Sequence, residues 1–214
     1  MFFLVRIDQI HPKRSRLERA EEERVRKGIL IAAIVLLGFG FSIVGEECPA
    51  ESVIEKMTTT MKSFQEVAPL DFSTIHSSGA LMKKDGSKIS VCLSNGEGFT
   101  IQQLANDFVL PLKSKKEFIA QIVFSMGREK KITAGEYSPQ AGYGKPFWVF
   151  AEVKVAVGEK GTVVSLGIRE GTARIIEITA DRICGTFDLR SKTGSALKSE
   201  IKGTFNVPLA VSKW

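Results

Sequence analysis

Residues 135–148, GEYSPQAGYGKPFW, carry the side chains of this chain that are best suited to binding. Prolines and glycines shape this loop, and it contains Tyr137, Tyr143 and Trp148. Aromatic side chains offer large, rigid contact surfaces with a polar edge, and loops held by a rigid sheet often carry function. The loop therefore predicts a binding site formed by these three residues. The alternative is packing, with Tyr137 ending one strand and Phe147 and Trp148 beginning the next.

Cys92 and Cys184 form the second candidate site, a disulfide bond. Each cysteine lies on the face opposite to the main apolar series of its predicted strand. In an oxidising compartment the two would bridge if their strands were neighbours, with Cα atoms about 5.5 Å apart. The alternative is two free cysteines on separate strands.

Catalytic patterns are missing from the sequence. The only histidines are His11 and His76, so no His, Cys, Asp and Glu set has metal-ligand spacing and no Ser-His-Asp arrangement is apparent. The glycine loops NGEGF and AGYGKP lack a phosphate-binding or dinucleotide fingerprint. Acidic residues are scattered, and no glycosidase pair stands out. The sequence predicts a protein that is not an enzyme and needs no metal or cofactor.

The net charge of +6 is spread along the chain. Residues 1–45 hold eight Lys or Arg against five Asp or Glu, and residues 46–214 hold twenty-two against nineteen. Nucleic-acid binding requires cations clustered on one face, and no such cluster is apparent. The short runs KSKK and REKK are interpreted as solvated turns. No nucleic-acid partner is expected.

An N-terminal membrane-targeting helix is predicted for residues 28–45. These eighteen residues carry no charge, follow Arg26 and Lys27, and nearly match the roughly 30 Å thickness of a bilayer core. The positive-inside rule puts everything after them across the membrane. Both a cleaved signal peptide and an uncleaved anchor fit. Residues 1–27 are a basic cytoplasmic tail, untranslated in part if translation starts at Val25.

Residues 46–77 are predicted to form a linker that contains a short amphipathic helix. Val53, Met57, Met61 and Phe64 recur at helical intervals before Pro69 ends the pattern. Three consecutive threonines lower the helical propensity of this segment. The helix would separate the following domain from the membrane or lie against it.

Residues 78–214 consist of short β-rich runs separated by turn signals. The first is a hairpin with Asp85-Gly86 at its turn, whose second strand sends Ile89, Val91 and Leu93 to one face. One helix is predicted from Thr100 to Phe108. Further turns are predicted near Glu170-Gly171 and Ala180-Asp181. This pattern predicts an all-β domain, an antiparallel β-sandwich or, alternatively, a small β-barrel.

Two strands of this domain have nearly the same sequence, ICGTFDL at 183–189 and IKGTFNV at 201–207. Because side chains alternate between the faces of a strand, the isoleucine, glycine and phenylalanine of each phrase share one face. The glycine permits close approach of a neighbouring strand or a bulge, and the phenylalanine fills the space beside it. Thr186 and Thr204 point outward. The phrase contains no nucleophile, base or ligand cluster, so it is interpreted as scaffold.

ITADRICGTFDL and IKGTFNVPLA, together with ISVCLSN and WVFAEVKV, resemble a group of bacterial exported and lipoprotein-like β-domains of uncharacterised function. The resemblance covers about the last two thirds of the chain and implies a β-fold and an envelope location, but no catalytic residue. Cys48 departs from the lipoprotein pattern because it follows Glu47 rather than a small residue.

These patterns predict an exported or membrane-anchored β-domain of the bacterial cell envelope, periplasmic or extracytoplasmic, with a non-enzymatic binding or structural role. The alternative is a periplasmic hydrolase acting on glycans or peptides. Expected partners are the membrane, through residues 28–45 if they are not cleaved, and an envelope protein or glycan. An exposed aromatic surface would indicate binding, and a deep cleft with converging acids would indicate hydrolysis.

Overall fold

A computed structural model describes residues 46–62, 70–105, 112–114, 116–127, 130–157 and 160–212, with the backbone alone described at 157 and 160–165. These residues belong to a compact unit that begins at Glu46. The predicted tail at 1–27 and the predicted membrane segment at 28–45 lie outside the described residues. Within the described part of the chain, no helix combines the length and the apolar character needed to cross a membrane.

The described chain is mainly β-strand. Its strands are β1 Val53–Thr59, β2 Ser77–Met82, β3 Lys88–Ser94, β4 Phe118–Ser125, β5 Gly135–Tyr137, β6 Trp148–Val157, β7 Lys160–Ser165, β8 Ile168–Ile178, β9 Arg182–Ser191 and β10 Ser199–Val211. One helix, α1, spans Ile101–Ala105, and a single 3-10 turn spans Pro139–Ala141. The all-β prediction is confirmed.

The ten strands form one sheet in the order β5-β8-β9-β10-β2-β3-β4-β6-β7, and β1 pairs with β10 outside this path. The sheet nearly closes as a barrel, so the alternative architecture describes it better than two separate packed sheets. Every strand pair is antiparallel except β10 with β2. The main core lies on the inner face of this sheet.

The predicted linker helix is wrong at Val53–Thr59, because these residues form strand β1. β1 pairs antiparallel with the first half of β10, and β2 pairs with the last residues of the same strand. Ile54 enters the core, with Met57 and Met61 packed against it. Residues 63–69, the rest of the predicted helix, lie outside the described residues. Tertiary pairing with β10 therefore decides the structure of this segment.

The predicted hairpin around Asp85-Gly86 is confirmed as β2–β3. Asp85 accepts hydrogen bonds from the Ser87 backbone N at 2.9 Å and from the Ser87 hydroxyl at 2.6 Å. Ile89, Val91 and Leu93 are fully buried in the main core, as expected from their alternation. The predicted helix is also found over Ile101–Ala105, where Thr100 and Gln103 form a reciprocal capping box.

The repeated phrase forms two paired strands, as the scaffold interpretation requires. The antiparallel register of β9 and β10 sets Gly185 opposite Phe205 and Gly203 opposite Phe187. Each glycine thus lies under the phenylalanine of the other phrase. Thr186 pairs with Thr204 on the outer face.

Both glycines also allow a third strand to approach closely. A Cβ on Gly185 would lie 1.9 Å from the Arg174 backbone oxygen in β8, and one on Gly203 would lie 2.0 Å from the Val53 backbone oxygen in β1. In both places the neighbouring strand shifts register. The repetition is therefore a means of packing bulged strands against a twisted sheet.

One of the two turns predicted between β7 and β9 is wrong. β8 runs without interruption through Glu170 and Gly171, although its register with β9 shifts between Ile168 and Glu170. Gly171 has a φ of 99°, and a Cβ there would lie 2.1 Å from the Asp188 backbone oxygen. This glycine permits close strand approach rather than chain reversal. The second predicted turn, near Ala180-Asp181, is confirmed between β8 and β9.

Candidate functional site

The outer face of β6 supplies the aromatic floor of the candidate site. Alternation along this strand buries Val149, Ala151 and Val153 in the core and turns Trp148 and Phe150 outward, where both remain partly exposed. The Trp148 and Phe150 rings are nearly parallel, with centroids 5.9 Å apart and an interplanar angle of 9°. Phe150 is not among the residues predicted from the sequence, but period-two alternation after Trp148 could have identified it.

The loop between β5 and β6 is held firmly over this face. Ser138 caps the 3-10 turn, with its hydroxyl accepting from Gln140 N at 3.2 Å, and its backbone N donates to the Phe147 carbonyl at 2.8 Å. Phe147 has a φ of 56°, the one positive φ outside glycine in the described part of the chain. A left-handed phenylalanine costs conformational energy and persists where its surroundings fix it. The loop is therefore preorganised.

This loop sets Tyr143 against Trp148. Tyr143 is 88% exposed, and its ring stands at 89° to the Trp148 ring with centroids 5.3 Å apart. The two rings form a right-angled aromatic corner on the protein surface. Tyr143 and Trp148 thus form an exposed aromatic surface at this loop, and their role in binding stays a prediction.

Tyr137 does not belong to this surface. It is fully buried at the end of β5, with its ring edge-on to Phe124 at 5.2 Å and its hydroxyl donating to the Thr133 carbonyl at 2.8 Å. Burial raises the pKa of the hydroxyl. Its prediction as a binding residue is wrong, because a β5 residue facing inward packs the core.

The aromatic corner lines one wall of a groove of about 1140 Å³. Its floor is the outer face of β4 and β6, and its other walls come from the β2–β3 turn, the segment after β4 and the start of β8. The lining residues are Lys83, Ser87, Lys88, Val123, Ser125, Met126, Gly127, Lys130, Tyr143, Gly144, Pro146, Trp148, Phe150, Glu152 and Arg169. We call this site the aromatic groove.

Cations predominate around the aromatic groove. Lys83 is paired with Asp85 at 3.0 Å, whereas Lys88, Lys130 and Arg169 form no ion pair with any described residue. The Ser87 hydrogen bonds, followed by Lys83, lower the pKa of Asp85 to about 2. Among the described lining residues Glu152 is the one carboxylate, and its Oε1 lies 3.9 Å from Lys154 Nζ. These cations come from three chain segments, so no single run of sequence predicts their convergence.

The other end of the same outer face is closed by α1. Leu104 packs there with Cys92 and Ile119 in a small second core. Between this core and the aromatic groove lies Gln121 on β4, opposite Cys92 on one side and Glu152 on the other. Gln121 is 1% exposed, and its amide oxygen and nitrogen have no hydrogen-bond partner in the described part of the chain.

Replacing Gln121 by methionine is expected to raise the free energy of unfolding by about 1 kcal/mol, because it removes a buried amide without partners and nearly keeps the volume. Urea denaturation of wild type and variant measures the change. Gln102→Met, at an exposed position of α1, is the matched control and should have little effect. A destabilised Gln121→Met variant would mean that the amide has a partner in the native protein.

The disulfide predicted between Cys92 and Cys184 is wrong. Cys184 is bonded to Cys48, with the two Cα atoms 5.7 Å apart, and Cys92 is a buried free cysteine. β3 and β9 are separated in the sheet by β10 and β2, so Cys92 and Cys184 are not on neighbouring strands. Cys48 comes within reach because the segment before β1 lies on β10, where the Asn206 amide donates to the Pro49 carbonyl at 2.8 Å.

Glu177 lies beside this disulfide, so that one ligand atom each from Cys48, Glu177 and Cys184 falls within 4.8 Å of the others. A metal ion needs thiolates from the two cysteines, and the disulfide removes both. While the bond is intact, the cluster offers a single carboxylate. The expectation that the protein needs no metal or cofactor stays a prediction.

Comparisons of the chain with models of known protein families, with curated proteins and with solved structures found no match. The resemblance to exported and lipoprotein-like β-domains therefore stays a prediction. The function must be inferred from the chemistry of the aromatic groove.

Proposed function

We propose that this chain is a non-enzymatic binding domain of the bacterial cell envelope, and that it binds its ligand in the aromatic groove. The observation that carries the proposal is the right-angled corner of Tyr143 and Trp148, with Tyr143 88% exposed. A single exposed ring is common on protein surfaces, but contiguous exposed aromatic surface, here Tyr143 with Trp148 and Phe150, is typical of binding sites. The preorganised loop adds support, because a fixed surface loses less entropy when a ligand binds.

An envelope location is supported by two independent features. Residues 28–45 form an uncharged run after Arg26 and Lys27, as in a signal peptide or anchor. The Cys48–Cys184 disulfide fits an oxidising compartment, since such bonds are rare in a reducing cytosol. The proposal therefore includes an extracytoplasmic domain that begins soon after residue 45.

The arrangement of acids favours binding over the alternative, a hydrolase acting on glycans or peptides. Most glycoside hydrolases use two carboxylates that face each other across the scissile bond. Among the described residues that line the groove, Glu152 alone carries a carboxylate. A cationic, aromatic surface with a single acid is suited to retaining a ligand rather than cleaving it.

Sedimentation with insoluble bacterial cell walls tests this proposal. Full-length protein should pellet with the walls, Tyr143→Ala should remain in the supernatant, and Val211→Ala should pellet like the wild type. Val211 is the matched control because it is 47% exposed on β10 and does not line the groove. Equal pelleting of the Tyr143 and Val211 variants, or no pelleting of the wild type, would contradict the proposal. Release of soluble fragments that Glu152→Gln abolishes would establish the hydrolase instead.

A further inference from the structure

We propose that the ligand of the aromatic groove is an acidic polysaccharide, whose sugar rings pack in the Tyr143–Trp148 corner while its anionic groups bind the surrounding cations. This inference rests on the proposed binding function and specifies the chemistry of the ligand. It follows from the charges, the ring geometry and the size of the groove.

The charges favour an anionic ligand. Around the groove, Lys88, Lys130 and Arg169 are exposed and have no ion-pair partner among the described residues. Lys83 forms an ion pair with Asp85. The acidic side chain among the described lining residues is Glu152, whose Oε1 lies 3.9 Å from Lys154 Nζ. The domain as a whole has only three more Lys and Arg than Asp and Glu, twenty-two against nineteen over residues 46–214. Three cations without a described ion-pair partner, against one carboxylate among the described lining residues, make the groove positive beside the exposed rings, which attracts carboxylate or phosphate groups.

The ring geometry favours sugars. A pyranose has an apolar C–H face that packs on an aromatic ring and hydroxyl groups that point outward from its edge. The 89° corner offers Tyr143 and Trp148 as two such surfaces, and Ser125 supplies a hydroxyl group along the groove. Single-stranded nucleic acids instead require successive stacking platforms along a cationic path. Among the described residues of the groove, Tyr143 is the one strongly exposed ring, whereas Trp148 and Phe150 are only partly exposed.

The size and layout of the groove suit a polymer. The groove volume of about 1140 Å³ lies near the upper end of the roughly 300–1,000 Å³ of ligand pockets. The cations also lie on separate segments, namely the β2–β3 hairpin, the segment after β4 and the start of β8. A chain with repeated anionic groups can place one group beside the cations of each segment.

Fluorescence titration of a full-length Trp214→Phe variant tests the inference, because Trp148 is then the only tryptophan in the chain. The probes are polygalacturonate and its methyl ester, which share one backbone and differ in charge. Polygalacturonate should bind about tenfold more tightly than the ester at low salt, through several charge-assisted contacts. Added salt should reduce this difference.

Matched variants separate the contribution of the charges to binding from that of the aromatic rings. In the Trp214→Phe background, combining Lys88→Gln with Lys130→Gln should lower the affinity for polygalacturonate close to that for the ester. The control is Lys192→Gln, at an exposed lysine outside the groove, which should leave the affinity difference between the two probes unchanged. Tyr143→Ala should weaken both probes. These results together would support a ligand bound by its rings and its charges.

The contrary results separate the two proposals. Equal affinity for the acid and the ester, with Tyr143→Ala weakening both, would overturn the acidic class and leave a groove that binds neutral glycans. Binding to neither probe, or binding that Tyr143→Ala does not change, would overturn the groove as a glycan site. Tighter binding of a poly-dT oligonucleotide than of polygalacturonate would identify a nucleic-acid ligand and overturn the polysaccharide.

Discussion

Replacing Gly185 by alanine is expected to lower the free energy of unfolding by about 3 kcal/mol or more. The new Cβ would lie 1.9 Å from the Arg174 backbone oxygen and 2.6 Å from Cζ of Phe205. A side chain can turn aside from such a contact, but this backbone oxygen belongs to β8, which pairs with β9 on either side of it. Relief requires the two strands to separate. Urea denaturation of the full-length protein measures the loss.

Gly194→Ala separates the clash from the general cost of replacing a glycine. Gly194 has a φ of 82° in the β9–β10 loop, and nothing lies within 4 Å of the position of its Cβ. We expect that variant to lose about 1 kcal/mol through backbone conformation alone. If Gly185→Ala were no less stable than Gly194→Ala, the close approach of β8 and β9 would be wrong.

Replacing Cys48 by serine is expected to lower the free energy of unfolding by about 2–4 kcal/mol. Cys48 and Cys184 are 136 residues apart in sequence, so their bond closes a long loop and restricts the unfolded chain strongly. It also fixes the segment before β1 to the middle of the sheet. Denaturation with and without reductant should show a large loss for the wild type and none for Cys48→Ser.

Cys92→Ala provides the control for this experiment, because Cys92 is the free cysteine and its variant should respond to reductant like the wild type. Alkylation of the unfolded protein with mass detection should label one of the three cysteines before reduction and all three afterwards. Three free thiols in protein isolated from the oxidising compartment would contradict the disulfide, and with it one support for an envelope location.

Local patterns predicted the strands that are amphipathic or repeated, and they failed where a distant partner decides the structure. The paired phrases in β9 and β10 could be identified because their alternation and their glycines belong to the strands themselves. In the segment Val53–Thr59 the apolar residues Val53 and Met57 have helical spacing, yet the segment forms a strand because it pairs with β10. Its β-branched Val53, Ile54, Thr58 and Thr59 are the signal that favours a strand.

The candidate site was predictable to a similar extent. Tyr143 and Trp148 stand out because their loop is rich in glycine, proline and aromatic residues, and face alternation correctly put Cys184 on the outer side of β9. The partner of Cys184 depends on strand order, which short patterns do not encode. The same holds for Lys88, Lys130 and Arg169, which the curled sheet brings to one groove from distant segments.

Acrylamide quenching of Trp148 in the Trp214→Phe variant tests the central claim, that the aromatic groove is the binding site, most directly. The measurement compares free protein with protein saturated by soluble cell-wall polysaccharide. Saturation is established by analytical ultracentrifugation, in which bound protein sediments faster than free protein. Trp148 is partly exposed beside Tyr143, so a ligand in the groove should cover it and lower its quenching several-fold. Unchanged quenching of Trp148 in fully bound protein would contradict the account, because the ligand would then occupy another surface.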